Sequence, residues 1–230
     1  IEKINELSVS DLDIAIVGGS NLEKQIKQLG EEVLKKFKYI FSENGLVSYE
    51  VKGKELNKFH SKNIFEFIGE KNYKNLVNIC MSSLIELDPP IKRGTFIEAR
   101  TGMINVSPIG RSCSQSEREE FNKSDFIFKY RENLINSISN KWNSYRYENN
   151  IIDLELCFSI GGQISVDIFP KNWDKTYCLQ FLKDYDRILF FGDKTYDGGN
   201  DFEIFNHSLT ESYSVLSPED TIKKLENLNL

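Results

Sequence analysis

Histidine, methionine and cysteine are scarce in this chain of 230 residues: two, two and four. The cysteines, Cys80, Cys113, Cys157 and Cys178, show no paired spacing, and the histidines are His60 and His207. That pattern excludes a zinc-finger signature and argues against a disulfide framework. A reducing, cytoplasmic compartment is the simplest expectation. No apolar run approaches the roughly 18 residues of a membrane span, so no membrane partner is expected. The opening stretch Ile-Glu-Lys-Ile-Asn-Glu-Leu lacks signal-peptide character. It also lacks an initiator Met, which sets the expectation that the natural protein begins earlier. There is no basic surplus either: net charge is −6 and pI ≈ 5.2, which disfavours a nucleic-acid partner. A local cluster of arginines could still bind a small phosphate ester.

What the chain does have is enough apolar residue, 40%, to bury a sizeable core. The stretch from Arg187 through Ile188-Leu189-Phe190-Phe191-Gly192-Asp193 to Asp201 organises the rest. Four apolar residues closed by Gly predict a strand buried on both faces, as in a parallel sheet. In such sheets the ligand crevice lies beyond the carboxyl ends of the strands. Asp193 then stands where chemistry is done, with Asp201 close enough along the loop to share the site. Paired carboxylates suit a hard cation such as Mg²⁺. The competing account is a polar loop with an incidental Asp.

Residues 1–12 predict the end of an amphipathic helix, with Ile1, Ile4 and Leu7 on one face. Asp13 to Val17 predicts a buried strand. Gly18-Gly19-Ser20 follows, with Ser20 as N-cap and Glu23 completing a capping box. Free N–H groups at that helix start could hold an anion, although a plain strand-to-helix turn explains them equally. Tyr39-Ile40-Phe41 completes a β–α–β pattern, and Val47, Tyr49 and Val51 alternate into a following hairpin. The first strand pair leaves a neighbour wanting, so a further strand is expected beside it.

Near residue 60 the character changes. A helix from Tyr73 to Leu87, a hairpin over Thr95–Arg100 and Met103–Ser107, and a helix capped by Ser114 with Glu117 at N3 are predicted. Helical character continues toward Trp142, and Asp153–Ile160 pairs with Ile164–Phe169. Buried runs return after 170, with a helix from Lys175 to about Leu182, the 188–191 strand, a strand at Ser212–Leu216, and a helix opened by Ser217-Pro218. The expected architecture is an α/β, Rossmann-like parallel-sheet core made of 1–61 and 171–230, with an α+β module, 62–170, inserted.

Arg100, Arg111 and Arg118 lie close together in that module, and a guanidinium grips phosphate bidentately. Arg118 near a helix N-terminus opposes the dipole, which favours a functional role over solvated surface charge. On the 164–169 strand, Ser165 and Asp167 share one face, offering hydrogen bonds to sugar hydroxyls or simply to water. Lys175 opens a helix, where a cation costs stability. Opposite Asp193 it could hold a transferring phosphoryl group; solvent exposure competes.

The blocks Lys92-Arg93-Gly94-Thr95-Phe96-Ile97-Glu98-Ala99-Arg100, Asn105 to Gln115, Gly161-Gly162-Gln163-Ile164-Ser165-Val166-Asp167 and Phe190 to Thr195 with Gly198-Gly199-Asn200-Asp201 resemble the eukaryotic-type phosphomannomutases, members of the haloacid-dehalogenase-like superfamily. The resemblance covers nearly the whole chain. It implies a cap module that dimerises, and interconversion of mannose 6-phosphate and mannose 1-phosphate with Mg²⁺ in GDP-mannose biosynthesis. It also implies a phosphoaspartyl enzyme and a hexose 1,6-bisphosphate as intermediate and activator. By position, Arg100, Arg111 and Arg118 would bind the substrate's distal phosphate and Ser165 and Asp167 the sugar. Ser20 and Lys175 would match the phosphate-binding hydroxyl and lysine, Asp193 the Mg²⁺ ligand, and Phe205 and Thr210 a second cation site. His207 there replaces the family's usual Asp. The family's nucleophile and acid/base, an Asp-x-Asp-x-Thr motif on the first core strand, do not occur in this sequence and are expected upstream of Ile1. The helix near Asp125-Phe126 looks shorter than the family's. A sugar-phosphate phosphatase, or a binding protein lacking the nucleophile, are the alternative readings.

Overall fold

A computed structural model describes residues 2–7 and 12–228. The chain divides into two compact units, Ile1–Ser61 with Asn172–Leu230, and Lys62–Lys171 inserted between them. In the first, α1 (Glu2–Leu7) precedes β1 (Ala15–Val17), α2 (Leu22–Leu29), α3 (Glu31–Leu34), β2 (Tyr39–Ser42), β3 (Val47–Lys52) and β4 (Glu55–Ser61). The expected place of Ile1 on the helix face lies outside the described residues, while Ile4 packs against Leu34, Phe37 and Ile40. β1 runs parallel to β2, and β2, β3 and β4 form an antiparallel meander.

α2 starts one residue later than the sequence predicts. Asn21, not Ser20, is the N-cap, its Oδ1 accepting the Lys24 N–H at 3.0 Å. Ser20 is held elsewhere, its carbonyl accepting the Glu43 N–H at 3.0 Å. Glu23 therefore closes no capping box and pairs with Lys27 instead.

The inserted unit contains α4 (Ile64–Ile68), α5 (Glu70–Glu86), β5 (Ile97–Ala99), β6 (Ile104–Val106), α6 (Gln115–Phe128), α7 (Tyr130–Glu148), β7 (Leu156–Gly161) and β8 (Ser165–Pro170). Its four strands lie in the order β5-β6-β8-β7, all antiparallel. The predicted capping box at Ser114 and Glu117 is present. The helical stretch after it is two helices, because Lys129 adopts φ 57 and breaks the ladder. On the apolar face of the sheet Ile104, Val106, Val166 and Ile168 are fully buried, as are Leu76, Cys80, Leu134, Ile138 and Trp142 of α5 and α7. Each such aliphatic side chain contributes about 1.5–3 kcal/mol on burial.

The chain returns to the first unit as a 3₁₀ helix (Lys175–Phe181), then β9 (Leu189–Gly192), α8 (Phe202–Phe205), β10 (Glu211–Ser214) and α9 (Pro218–Asn227). The class is the expected one, an α/β core with an inserted α+β module. The single sheet expected for the core is not what forms. Among the described residues β9 pairs in parallel with β10 alone, and β1 is the edge of the other sheet. Between the free edges of β1 and β9 lies a cavity of about 900 Å³, lined by Ile14–Val17 and Ile188–Gly192. Tyr185, ahead of β9, donates to Asp13, ahead of β1, at 2.6 Å, so both strands start at the same end of this slot. Below it Phe41, Cys178, Leu179, Leu182, Phe190 and Ile204 form one core shared by the two sheets. β1 is accordingly not the buried strand predicted: Ala15 is exposed, and Ile16 and Val17 are half-buried. A strand paired on one edge and bordered by open space on the other cannot be covered on both sides.

Arg187 clips β9 to β10 by a fork onto Glu211, with Nε to Oε2 at 2.7 Å and Nη2 to Oε1 at 2.9 Å. This hydrogen bonding, with a second bond from Tyr213, lowers the Glu211 carboxyl to about 2. A carboxyl depressed on folding stabilises above its ordinary value of 4.5 and loses that contribution as pH falls toward 2. Acid titration followed by circular dichroism should therefore show a loss of stability between about pH 4.5 and 2 that Glu211→Gln lacks. The amplitude is expected to be small because the pair is exposed, and identical acid profiles for the two proteins would contradict it.

Candidate active site

Strand register assembles a polar row on the second face of the inserted sheet. Glu98 lies opposite Asn105, Asn105 opposite Asp167, and Asp167 opposite Ser159. Ser165, two residues before Asp167, shares that face. Asn105 is fully buried. Its Nδ2 donates to Ser165 Oγ at 2.9 Å and to Asp167 Oδ1 at 2.5 Å, and its Oδ1 accepts Arg111 Nη1 at 2.8 Å. A Cβ on Gly161 would stand 2.4 Å from Asp167 Oδ2, so only glycine lets the carboxylate lie against the β7–β8 turn.

Around this row stand the three arginines. Glu98 accepts Arg100 Nε at 2.7 Å on one oxygen and pairs with Arg111 Nε at 2.5 Å on the other. Arg118, in the first turns of α6, donates Nη2 to the Arg111 carbonyl at 2.8 Å. Burial pushes the Glu98 carboxyl up. The Arg100 hydrogen bond and the charges of Arg100 and Arg111 outweigh it and hold the group below the usual range. Arg100, Arg111, Arg118, Ser165 and Asp167 thus belong to one connected network. Glu98 and Asn105, which join them, lie inside the blocks that carry the family resemblance, but neither their type nor their spacing marks them as the link.

The first unit holds a second constellation. Asp193 follows β9 directly, is exposed, lines the slot and has no hydrogen bond or ion pair among the described residues. Lys175 does not face it. Its Nζ is bound to Asp201 Oδ1, with the two side chains only 12% and 3% exposed. Asp201 Oδ2 accepts the Lys194 N–H at 3.0 Å, and Gly192 is required because its Cβ would sit 2.9 Å from that carboxylate. Asp201 is therefore a counter-ion for Lys175 rather than a partner of Asp193.

Ser20 sits in a loop pinned by Asn44, whose N–H bonds the Gly18 carbonyl at 2.9 Å and whose Nδ2 reaches the Trp173 carbonyl at 3.1 Å. That amide ties the Ser20 loop to the segment presenting Lys175, a link the sequence reading missed. The Cys178 thiol is buried, and that burial pushes it up to about 12, so it is no nucleophile.

No group of three His, Cys, Asp or Glu able to hold a metal exists among the described residues. Mg²⁺ commonly uses one or two carboxylates plus waters and phosphate oxygens, and Asp193 fits that role as a single unengaged ligand. The loop after Phe205 is closed on itself. Thr210 Oγ1 bonds the carbonyls of Ile204 and His207 at 2.7 and 2.9 Å, and His207 Nδ1 accepts the Leu209 N–H at 3.2 Å.

The family model of eukaryotic phosphomannomutases matches residues 2–230. The chain belongs to that family. It is 51% identical over 213 residues to a phosphomannomutase of Galdieria sulphuraria, spanning 93% of this chain and 80% of the relative. With the Arabidopsis thaliana phosphomannomutase it shares 47% over 215 residues, 94% of this chain and 82% of the relative. Among solved structures, an IMP-bound Plasmodium falciparum IMP-nucleotidase variant aligns over 99% of this chain with TM-score 0.60 and 18% identity. The chain spans only 61% of that nucleotidase's length. A trehalose-6-phosphate phosphatase of Aspergillus fumigatus aligns with TM-score 0.53 and 13% identity, over 99% of this chain and 82% of that one. These two likenesses speak for the fold alone.

Proposed function

We propose that the chain is the scaffold of a phosphomannomutase interconverting mannose 6-phosphate and mannose 1-phosphate. The observation that carries this reading is the joining of Arg100, Arg111 and Arg118 to Ser165 and Asp167 through one polar sheet row. Guanidiniums offer charge-assisted, bidentate bonds to a phosphate, and the hydroxyl and carboxylate beside them suit sugar hydroxyls. In this reading the inserted unit is the cap that holds whichever phosphate is remote, in either orientation of a hexose 1,6-bisphosphate.

In the core unit Lys175 and Ser20 hold the transferring phosphoryl group, and Asp193 is the residue that would hold Mg²⁺. That cation, when bound, supplies charge stabilisation for phosphoryl transfer. Phe205 and Thr210 are the weaker assignment, since the Thr210 hydroxyl already donates within its own loop. The nucleophile fits a further parallel strand in the slot between β1 and β9. Two open strand edges and an apolar lining there are what a parallel strand needs, and Asp193 and Lys175 both border the cavity. A homodimer through the cap is supported by Phe126, Ile127 and Phe128, 80%, 71% and 58% exposed at the end of α6, a patch a partner would cover. Four free cysteines are in keeping with the cytoplasm.

The test compares mutase flux with hydrolysis of the phosphoenzyme by water. Replacing Arg118 with Gln should weaken both mannose phosphates and the bisphosphate about ten- to a hundredfold, roughly the 1.5–3 kcal/mol of one charge-assisted contact. Hydrolysis, which needs only the core, should fall much less. Equal losses in both rates, or none in either, would refute the remote clamp and favour a plain phosphatase.

A further inference from the structure

Glu98 occupies an odd place for an acid: between two cations meant for an anionic ligand. Each of its oxygens takes the Nε of a different guanidinium, Arg100 at 2.7 Å and Arg111 at 2.5 Å. An arginine carries five N–H groups, and this arrangement engages only one on each. Asn105 takes one more from Arg111 at 2.8 Å, and the one partner of Arg100 Nη1 among the described residues is Met103 Sδ at 3.9 Å. The remaining terminal N–H groups stay open for oxyanions. The three side chains are about one-third exposed, so a ligand can reach them.

We propose that Glu98 is the positioning residue of the phosphate clamp, bridging Arg100 and Arg111 through their Nε atoms so that both present their outer N–H groups together. This rests on the reading of those arginines as phosphate ligands. Two guanidiniums this close repel each other, and a free arginine side chain must be ordered before it can bind. A carboxylate bridging them removes both obstacles. A glutamine cannot do so in this geometry, because it offers one acceptor oxygen where Glu98 uses two, and its amide nitrogen only donates.

Two simple accounts predict opposite signs. If Glu98 acted only as a nearby negative charge, Glu98→Gln would tighten anion binding. As a positioning residue it should weaken binding. Titration calorimetry of the full-length protein with mannose 6-phosphate should show Glu98→Gln binding about tenfold more weakly, with KM rising by a similar factor and kcat changing much less. In an Arg111→Gln background the same change should cost less than twofold, since the bridge is already broken. Thermal unfolding should barely move, because partly exposed pairs add little to stability. Should Glu98→Gln fail to fold, Glu98→Asp keeps the charge but is too short to span both Nε atoms, and it should bind more weakly than the parent. Unchanged or tighter binding in either variant, while Arg111→Gln alone weakens binding, would overturn the inference and leave the clamp standing. No effect of Arg111→Gln alone would overturn the clamp, and this inference with it.

Discussion

Replacing Asp201 with alanine is expected to cost the core unit about 3–5 kcal/mol, the range found when one partner of a buried ion pair is removed. The Lys175 ammonium would be left 12% exposed with no counter-ion. The Lys194 N–H would lose its acceptor as well. In urea unfolding this should lower the midpoint without changing the slope. Lys175→Met should be comparably damaging, because it strands a carboxylate that is 3% exposed. The double variant Lys175→Met with Asp201→Leu should regain much of the loss, since a packed apolar pair often matches a buried ionic one. If Lys175 holds the transferring phosphoryl group as proposed, turnover should nevertheless stay near zero, which would separate that role from its part in the fold. A stability loss under about 1 kcal/mol for Asp201→Ala would show that solvent screens the pair.

A second effect of about the same size is expected at Arg131. Its side chain and that of Asp125 are 8% and 7% exposed, joined Nε to Oδ2 at 2.7 Å. The other oxygen of Asp125 accepts the Arg131 backbone N–H at 2.9 Å, satisfying a free donor in the first turn of α7. The rest of the guanidinium reaches the Gly162 carbonyl at 2.8 Å and Asn122 Oδ1 at 3.2 Å. One side chain thus fastens the α6–α7 joint to the β7–β8 turn that leads into Ser165 and Asp167 on β8. Arg131→Met should destabilise the inserted unit by about 3–5 kcal/mol and raise the hydrogen exchange of residues around Lys129. Mannose 6-phosphate affinity should drop too, as the turn loosens. Unfolding within 1 kcal/mol of the parent, or unchanged exchange near Lys129, would show that the joint holds without it.

What the sequence made legible was local. The capping box at Ser114 and the hairpin through Val47, Tyr49 and Val51 each depend on residues within a few positions of one another, and each formed as the pattern implied. What stayed hidden was decided at long range. Ser20 and Asn21 are equally good N-caps by type, and a hydrogen bond from Glu43 made the choice. Ile188–Phe191 reads as a fully buried run whether its free edge meets a strand or a cavity. Lys175 is expected opposite Asp193 from its place in the sequence, but packing pairs it with Asp201, eight residues further along the same loop. Glu98, Asn105 and Arg131 were passed over because their importance lies in what they hold.

The insertion also governs the order in which this chain can become folded. Asn44 bonds the carbonyl of Trp173, 129 residues away, and Phe41 shares its core with Leu179 and Phe190. Such contacts carry a high loop-closure entropy, and a topology rich in them folds slowly. During synthesis the segment through Ser61 emerges with Phe41 uncovered. The inserted unit, compact in its own right, can form next, and its collapse shortens the effective tether between the two core halves. Only when the segment from Asn172 onward appears can the first strands be covered. Until then a nascent chain exposes the apolar surface around Phe41, a feature that recruits holding chaperones. Substitutions that slow the inserted unit would prolong that exposure, and reduce the yield of active protein without touching any residue of the core.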